Sequence, residues 1–227
     1  MRYIILLILF VPALNLKAQN NSLYFGMLPE ISMRLNLSKD FQFTFKVESM
    51  HDLYSMEGKG MEVWQYYYDR TDFQGFIGYK LNPFWSLAGG YQFRLENGGD
   101  VSHSLIQQVA YVQGRTGYRL GHRLRTDQQF KRSDKTEFRI RYRFSFELPL
   151  QGQEIDPGEF YLVLSDEPIF SIQDKETDLE NRLLVKTGYF YNSRHRLETG
   201  IDYRIDQFLD NGSRNGVWYK IGWRIRF

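Results

Sequence analysis

The last twelve residues, GVWYKIGWRIRF, alternate without a break. Val217, Tyr219, Ile221, Trp223, Ile225 and Phe227 share one parity, and Trp218, Lys220, Gly222, Arg224 and Arg226 share the other. A two-residue period is the period of a strand, because successive side chains leave its opposite faces. The pattern runs to Phe227, so the chain ends inside a strand and on an aromatic residue. A polypeptide built this way must hide one greasy face along its whole length, and that requirement limits it to a sheet closed on something apolar.

The same alternation recurs upstream. Leu23 to Leu37 sets Phe25, Met27, Ile31, Met33 and Leu35 against Glu30, Ser32, Arg34 and Asn36. Phe41, Phe43, Phe45 and Val47 alternate with Gln42, Thr44, Lys46 and Glu48, and a polar loop is expected over 51–60. Met61 to Leu81 is too long for one membrane strand of about ten residues. Asp69 also falls on its greasy parity, so a turn is expected near Thr71 and Asp72. Later strands are expected at Trp85–Leu95, Ser104–Gln113, Tyr118–Phe130, Phe138–Leu148, Phe160–Leu164, Leu183–Tyr191 and Leu197–Ile205. Charged loops are expected over 173–178 and 206–215. The expected fold is all-β: a single up-and-down antiparallel transmembrane β-barrel of about 12 strands, within a range of 10–12.

Met1 to Ala18 has the form of a cleavable secretory signal, with Arg2 at the start, a short apolar run from Ile4, and small Ala18 before Gln19. The run is broken by Pro12 and Asn15, too early for a spanning helix. The expected organisation is therefore 1–18 signal and 19–227 barrel, exported through the inner membrane to the outer membrane. Without Arg2 and Lys17 the remaining chain holds 27 basic and 27 acidic residues, since no Asp or Glu precedes Gln19. A formally neutral chain with no basic domain is not a nucleic-acid partner. With Cys at 0, disulfides and thiolate metal sites are excluded.

Periodicity alone leaves two orientations open, grease outward or grease inward. Volume favours outward, because a small barrel interior is barely wide enough for its own side chains. The polar parity then faces a lumen. Its candidate lining charges are Arg119, Arg123, Arg125, Glu137, Arg139, Arg141, Arg143, Glu147, Glu180, Arg182, Glu198, Asp202 and Arg204, with Asp127 and Glu167 on the same parity. The arginine rows admit two roles: a salt-bridged plug, or a constriction for small anions led by Arg139, Arg141 and Arg143. Trp85, Tyr91, Trp218, Tyr219 and Trp223 are candidates for interfacial aromatic girdles.

A barrel lipid hydrolase would need Ser and His converging on one face. Ser102-His103-Ser104 puts them on opposite faces, and His51, His122 and His195 have no serine two residues on. No catalytic, metal or cofactor residue is therefore assigned. An outer-membrane lipid-modifying enzyme and a soluble periplasmic protein that binds an apolar ligand remain the alternatives to a structural or narrow-pore barrel.

The closing strand resembles the C-terminal strand of outer-membrane barrels, and this resemblance implies that Phe227 belongs to the signal read by the barrel-assembly machinery. The segments HRLRTDQQF, EFRIRYRF, EFYLVLSDEPIF, ENRLLVKTGYFY and LETGIDYR carry a second resemblance. Together with the signal and Phe227 they resemble the domain-of-unknown-function family "twenty-four-ninety", small secreted proteins of Bacteroidota regarded as outer-membrane barrels. It implies a barrel in contact with outer-membrane lipid, and no biochemical activity. The SHSLIQQ stretch, Ser102 to Gln108, departs from the charged pattern of relatives.

Overall fold

The computed structural model describes residues 22–57, 61–132, 134–207 and 213–227. The expected signal, Met1–Ala18, lies outside them. Eleven strands form one closed barrel: β1 (Ser22–Asn36), β2 (Phe41–Glu57), β3 (Met61–Lys80), β4 (Trp85–Glu96), β5 (Val101–Arg115), β6 (Tyr118–Lys131), β7 (Glu137–Pro149), β8 (Glu159–Gln173), β9 (Glu176–Asn192), β10 (His195–Asp206) and β11 (Arg214–Arg226). Each strand pairs with its sequence neighbours, and β1 closes on β11. That last pair is parallel, Ser22 opposite Arg214 through Arg34 opposite Arg226. An odd strand count forces this, because β11 must then run in the same direction as β1. The closure corrects the expectation of antiparallel pairing throughout, and departs from the even count usual in bacterial outer-membrane barrels. We call the rim where β1 and β11 begin proximal, and the rim where they end distal.

The turn expected at Thr71 and Asp72 does not form, and β3 runs unbroken for 20 residues. The last β3–β4 pair is Arg70 with Glu96. Beyond it β3 pairs with β2 alone, as far as Met61 opposite Glu57. The β2–β3 hairpin therefore overhangs the proximal rim. Asp69 stands where β4 stops, with its carboxylate 2.7 Å from Arg70 Nη1, so its greasy parity does not place it inside an apolar band. The loop expected over 51–60 is mostly strand, with bulges at Met50/His51 and Asp52/Tyr54 absorbing the irregularity. The loop expected over 173–178 shrinks to Asp174 and Lys175, whose φ values of 47° and 74° are those of a primed hairpin turn.

Several distal hairpins are capped by side-chain oxygens. Asn82 Oδ1 accepts from the amides of Phe84 and Trp85, both at 2.9 Å. Asn192 Oδ1 does the same for Arg194 and His195, also at 2.9 Å. Such short polar residues mimic the backbone of a turn. At the last residue the Phe227 amide donates to Arg34 O at 2.8 Å, so β11 stays paired to its end.

Grease faces outward. Phe138, Ile140 and Tyr142 are 54%, 53% and 43% exposed, whereas Arg139, Arg141 and Arg143 line the interior. Trp85, Tyr91, Tyr219 and Trp223 lie on the outer surface. Trp218 does not: it is buried inside the barrel and donates Nε1–H to Asp52 Oδ1 at 3.2 Å. Its parity already placed it with Lys220 and Arg224 rather than with Tyr219.

Inside, Tyr161 is fully buried and its ring lies flat over Gly188, where an added Cβ would meet ring carbons at 2.2 Å. Its hydroxyl donates to Glu198 at 2.8 Å. Gly188→Ala must push this ring off its partner. We expect a loss of about 1–3 kcal/mol in folding stability, as for an overpacked core, read from urea unfolding of the folded barrel.

Candidate functional site

All eleven strands place at least one buried side chain on the inner face. Leu28 of β1, Met50 of β2 and Trp218 of β11 pack into an apolar wedge with Tyr24. Asp72, Gln92, Ser104, Ile106, Asp127, Arg141, Ile169, Lys186 and Arg204 supply the remaining strands, from β3 to β10. The Arg204 guanidinium lies 5.1 Å over the Trp218 ring, which joins the wedge to the charged wall. Leu28, Ile106, Ile169 and Trp218 are each at most 2% exposed, so this layer is packed as a protein core is packed.

Within the barrel lies a cavity of about 420 Å³ that reaches from Arg34, Arg194 and Arg226 at the distal end to Arg70 at the proximal end of β4. Gly78 and Ala88 are the small residues of one wall, and the Gln42 side chain packs against Gly78. Its floor is a cluster of guanidiniums on two carboxylates. Glu167 receives Arg123 Nη2 at 2.8 Å, contacts Arg143, and stands 3.5 Å from Arg141. Asp127 holds Arg125 Nε at 2.6 Å and stands 3.6 Å from Arg141. Arg141 thus bridges the two acids. Glu167 and Asp127 are 2% and 0% exposed, and charges so far from bulk water interact strongly because little solvent screens them. Four arginines on two acids leave the floor cationic.

The other charges form local pairs along the wall. Arg182 pairs with Glu180. Arg204 grips Asp202 with Nε at 3.0 Å and Nη2 at 2.9 Å. Glu198 takes Lys186 at 2.5 Å and Arg224 at 3.1 Å. Arg139 lies 3.9 Å from Glu137 and donates to Gln129 at 2.5 Å. Arg119 meets Glu147 at 2.6 Å near the distal mouth. Arg119, Arg123, Arg125, Arg139, Arg141, Arg143, Arg182, Asp202 and Arg204 line the cavity, whereas Glu137, Glu147, Glu180 and Glu198 stand beside it in these pairs.

Several interior charges lie beyond the named candidates, although their parity already points inward. Lys46 and Lys220 both sit between Glu30 and Glu48, at 2.7–3.1 Å. Arg94 forks onto Asp72 at 2.6 and 2.8 Å. Glu167 is the largest omission from the candidate set. The signal that would find it is its place as an acid on the inner parity of β8, next to a strand carrying three alternate arginines.

His103 and His122 are on the outer face. His103 bonds to the Tyr91 hydroxyl and His122 to that of Tyr142 at 2.7 Å. Ser102 and Ser104 face inward, away from His103. Among the described residues no three His, Cys, Asp or Glu are placed to hold a metal ion.

The model of a family described as "Protein of unknown function (DUF2490)" matches residues 25–215. No curated protein and no solved structure matches the chain.

Glu167→Gln would leave Arg123, Arg141 and Arg143 clustered with no shared carboxylate. Breaking a buried pair by removing one partner costs about 3–5 kcal/mol, and that loss is expected in urea unfolding. Glu167→Asp, which keeps the charge, should lose markedly less.

Proposed function

The chain belongs to the DUF2490 family of proteins of unknown function, and from that premise we propose that it is an outer-membrane β-barrel closed at its waist, structural rather than conducting. One observation carries the membrane part: an apolar outer surface on a wall of strands that closes on itself. Hydrocarbon tolerates only structures whose backbone groups are satisfied internally, and a closed barrel is one of the two that qualify. The shortest strands, β4 and β10, have 12 residues, more than the about 9–11 needed to cross a bilayer at a tilt.

The polar groups on the outer surface support the same reading. Gln107, Thr126 and Gln128 satisfy one another across β5 and β6 at 2.7–3.1 Å. Thr199 donates to the Tyr219 hydroxyl at 2.7 Å. Lateral pairing of this kind is what a surface without water requires. The charged interior, by contrast, offers no place for an apolar ligand, which weighs against a soluble carrier. The histidines paired to outer tyrosines assemble no nucleophile, and we assign no catalytic step.

The waist supports the closed part. The apolar wedge of Leu28, Met50 and Trp218 and the arginines gathered on Glu167 and Asp127 narrow the lumen, and an ion entering the distal mouth meets these side chains. Partners on this reading are outer-membrane lipid and the assembly machinery that recognises β11 and Phe227.

The protein is expected in the detergent-extracted membrane fraction, with a gel mobility that changes on boiling. Recovery from the soluble fraction without detergent would sink the membrane reading. In planar bilayers the purified barrel should show no steady conductance, whereas Trp218→Ala, which opens the wedge, should raise leak. A steady ohmic current through the native protein would favour the pore instead.

A further inference from the structure

The distal mouth carries cations that the fold itself does not neutralise. Arg34, Arg119, Arg194, Arg196, Arg224 and Arg226 line the cavity at this end. Arg119 and Arg224 each share one carboxylate, at 2.6 and 3.1 Å. The other four make no ion pair with the described residues. They come from β1, β10, β11 and the Ser193–Arg194 turn, so the parallel closure of the barrel is what brings them together. Along the whole lining, seventeen Arg and Lys face five Asp and Glu. Six further acids pair with these cations from beside the cavity, Asp69, Asp127, Glu137, Glu147, Glu180 and Glu198, and they do not close that gap. Below the mouth, the floor adds the surplus around Glu167.

Crowding like charges in a site of low dielectric opposes folding. A plug designed only to fill space would match them, as Lys46, Lys220, Glu30 and Glu48 match one another deeper in. The mouth also has order. The Arg196 guanidinium lies 4.1 Å over the Phe190 ring and 5.5 Å from that of Tyr161, which holds its plane. Guanidiniums present paired donors that fit the oxygens of phosphoryl groups. The cavity volume of about 420 Å³ is within the range of small-ligand pockets.

We propose that the distal mouth is a binding site for a compact polyanion carrying two or more phosphoryl groups. Several guanidiniums on different strands call for more than one anionic group. The phosphoryl groups belong either to a soluble polyphosphorylated molecule or to a lipid headgroup at the rim. The inference rests on the arginines of the distal mouth and not on residence in a membrane, so a detergent-folded barrel tests it separately from the fractionation experiment.

The test is calorimetric titration of the full folded barrel with inorganic tripolyphosphate. Saturable binding of one anion per barrel is expected, weakening as salt rises from about 0.05 to 0.5 M. Arg34→Gln/Arg226→Gln should weaken it at least about tenfold, and the matching Lys substitutions, which keep charge but lose the fork, by an intermediate amount. Lys131→Gln at the opposite rim should leave it unchanged. Heat-modifiable mobility confirms that each variant has folded, and Arg194→Gln, in a turn, replaces the double variant if that one fails. Absence of saturable heat with the native barrel, or equal affinity in the mouth variants, overturns the site. Repeating the titration in nanodiscs assigns the source: loss of tripolyphosphate binding with phosphatidic acid, but not with phosphatidylcholine, identifies a headgroup ligand. Unchanged binding in both identifies a soluble one.

Discussion

A closed ladder of backbone hydrogen bonds is the constraint on which everything else in this molecule depends. Once β1 pairs with β11, the closed wall has no strand edge outside the overhang of β3, and each residue in it has one remaining variable: whether its side chain points in or out. A two-residue period settles that variable locally. A slip of one residue would turn every arginine of β7 outward and every phenylalanine inward, so the register is held by the largest penalty the sequence can impose.

The interior then has to accommodate charge without water in bulk. It does so unevenly. At the waist, carboxylates are shared among arginines and backed by an apolar wedge of Leu28, Met50 and Trp218. Along β9 and β10, pairs two residues apart on one strand neutralise one another, as Glu180 does Arg182 and Asp202 does Arg204. Toward the distal rim the compensation lapses. This gradient, from matched and buried to unmatched and open, gives the barrel a direction that its architecture alone does not have.

Much of this was legible in the sequence. The parity of β4, β6, β7, β10 and β11 is visible in the residues themselves, and so is the inward aim of Arg139, Arg141 and Arg143. The failures occurred where a local rule met a non-local fact. Asp69 looked like a break because a strand was taken to stop at the membrane; β3 instead continues beyond it, held by β2. Trp218 looked like a girdle residue because tryptophan is common there, although its parity pointed inward. The parity of Glu167 points inward, but its importance is not visible in its own mostly apolar segment, because it comes from arginines on two other strands.

The sequence by itself determined the strand period, the face each side chain takes, the outward band of grease and the charged interior, because these follow from the geometry of one strand and its immediate neighbours. Only the tertiary structure decided that the strands number eleven, that the first and last run parallel, and that three arginines meet one glutamate at the waist while others stand unmatched at the mouth. Those outcomes depend on how far each strand is offset from the next around the closed wall. That offset accumulates over the whole circumference, and no single stretch of the chain records it.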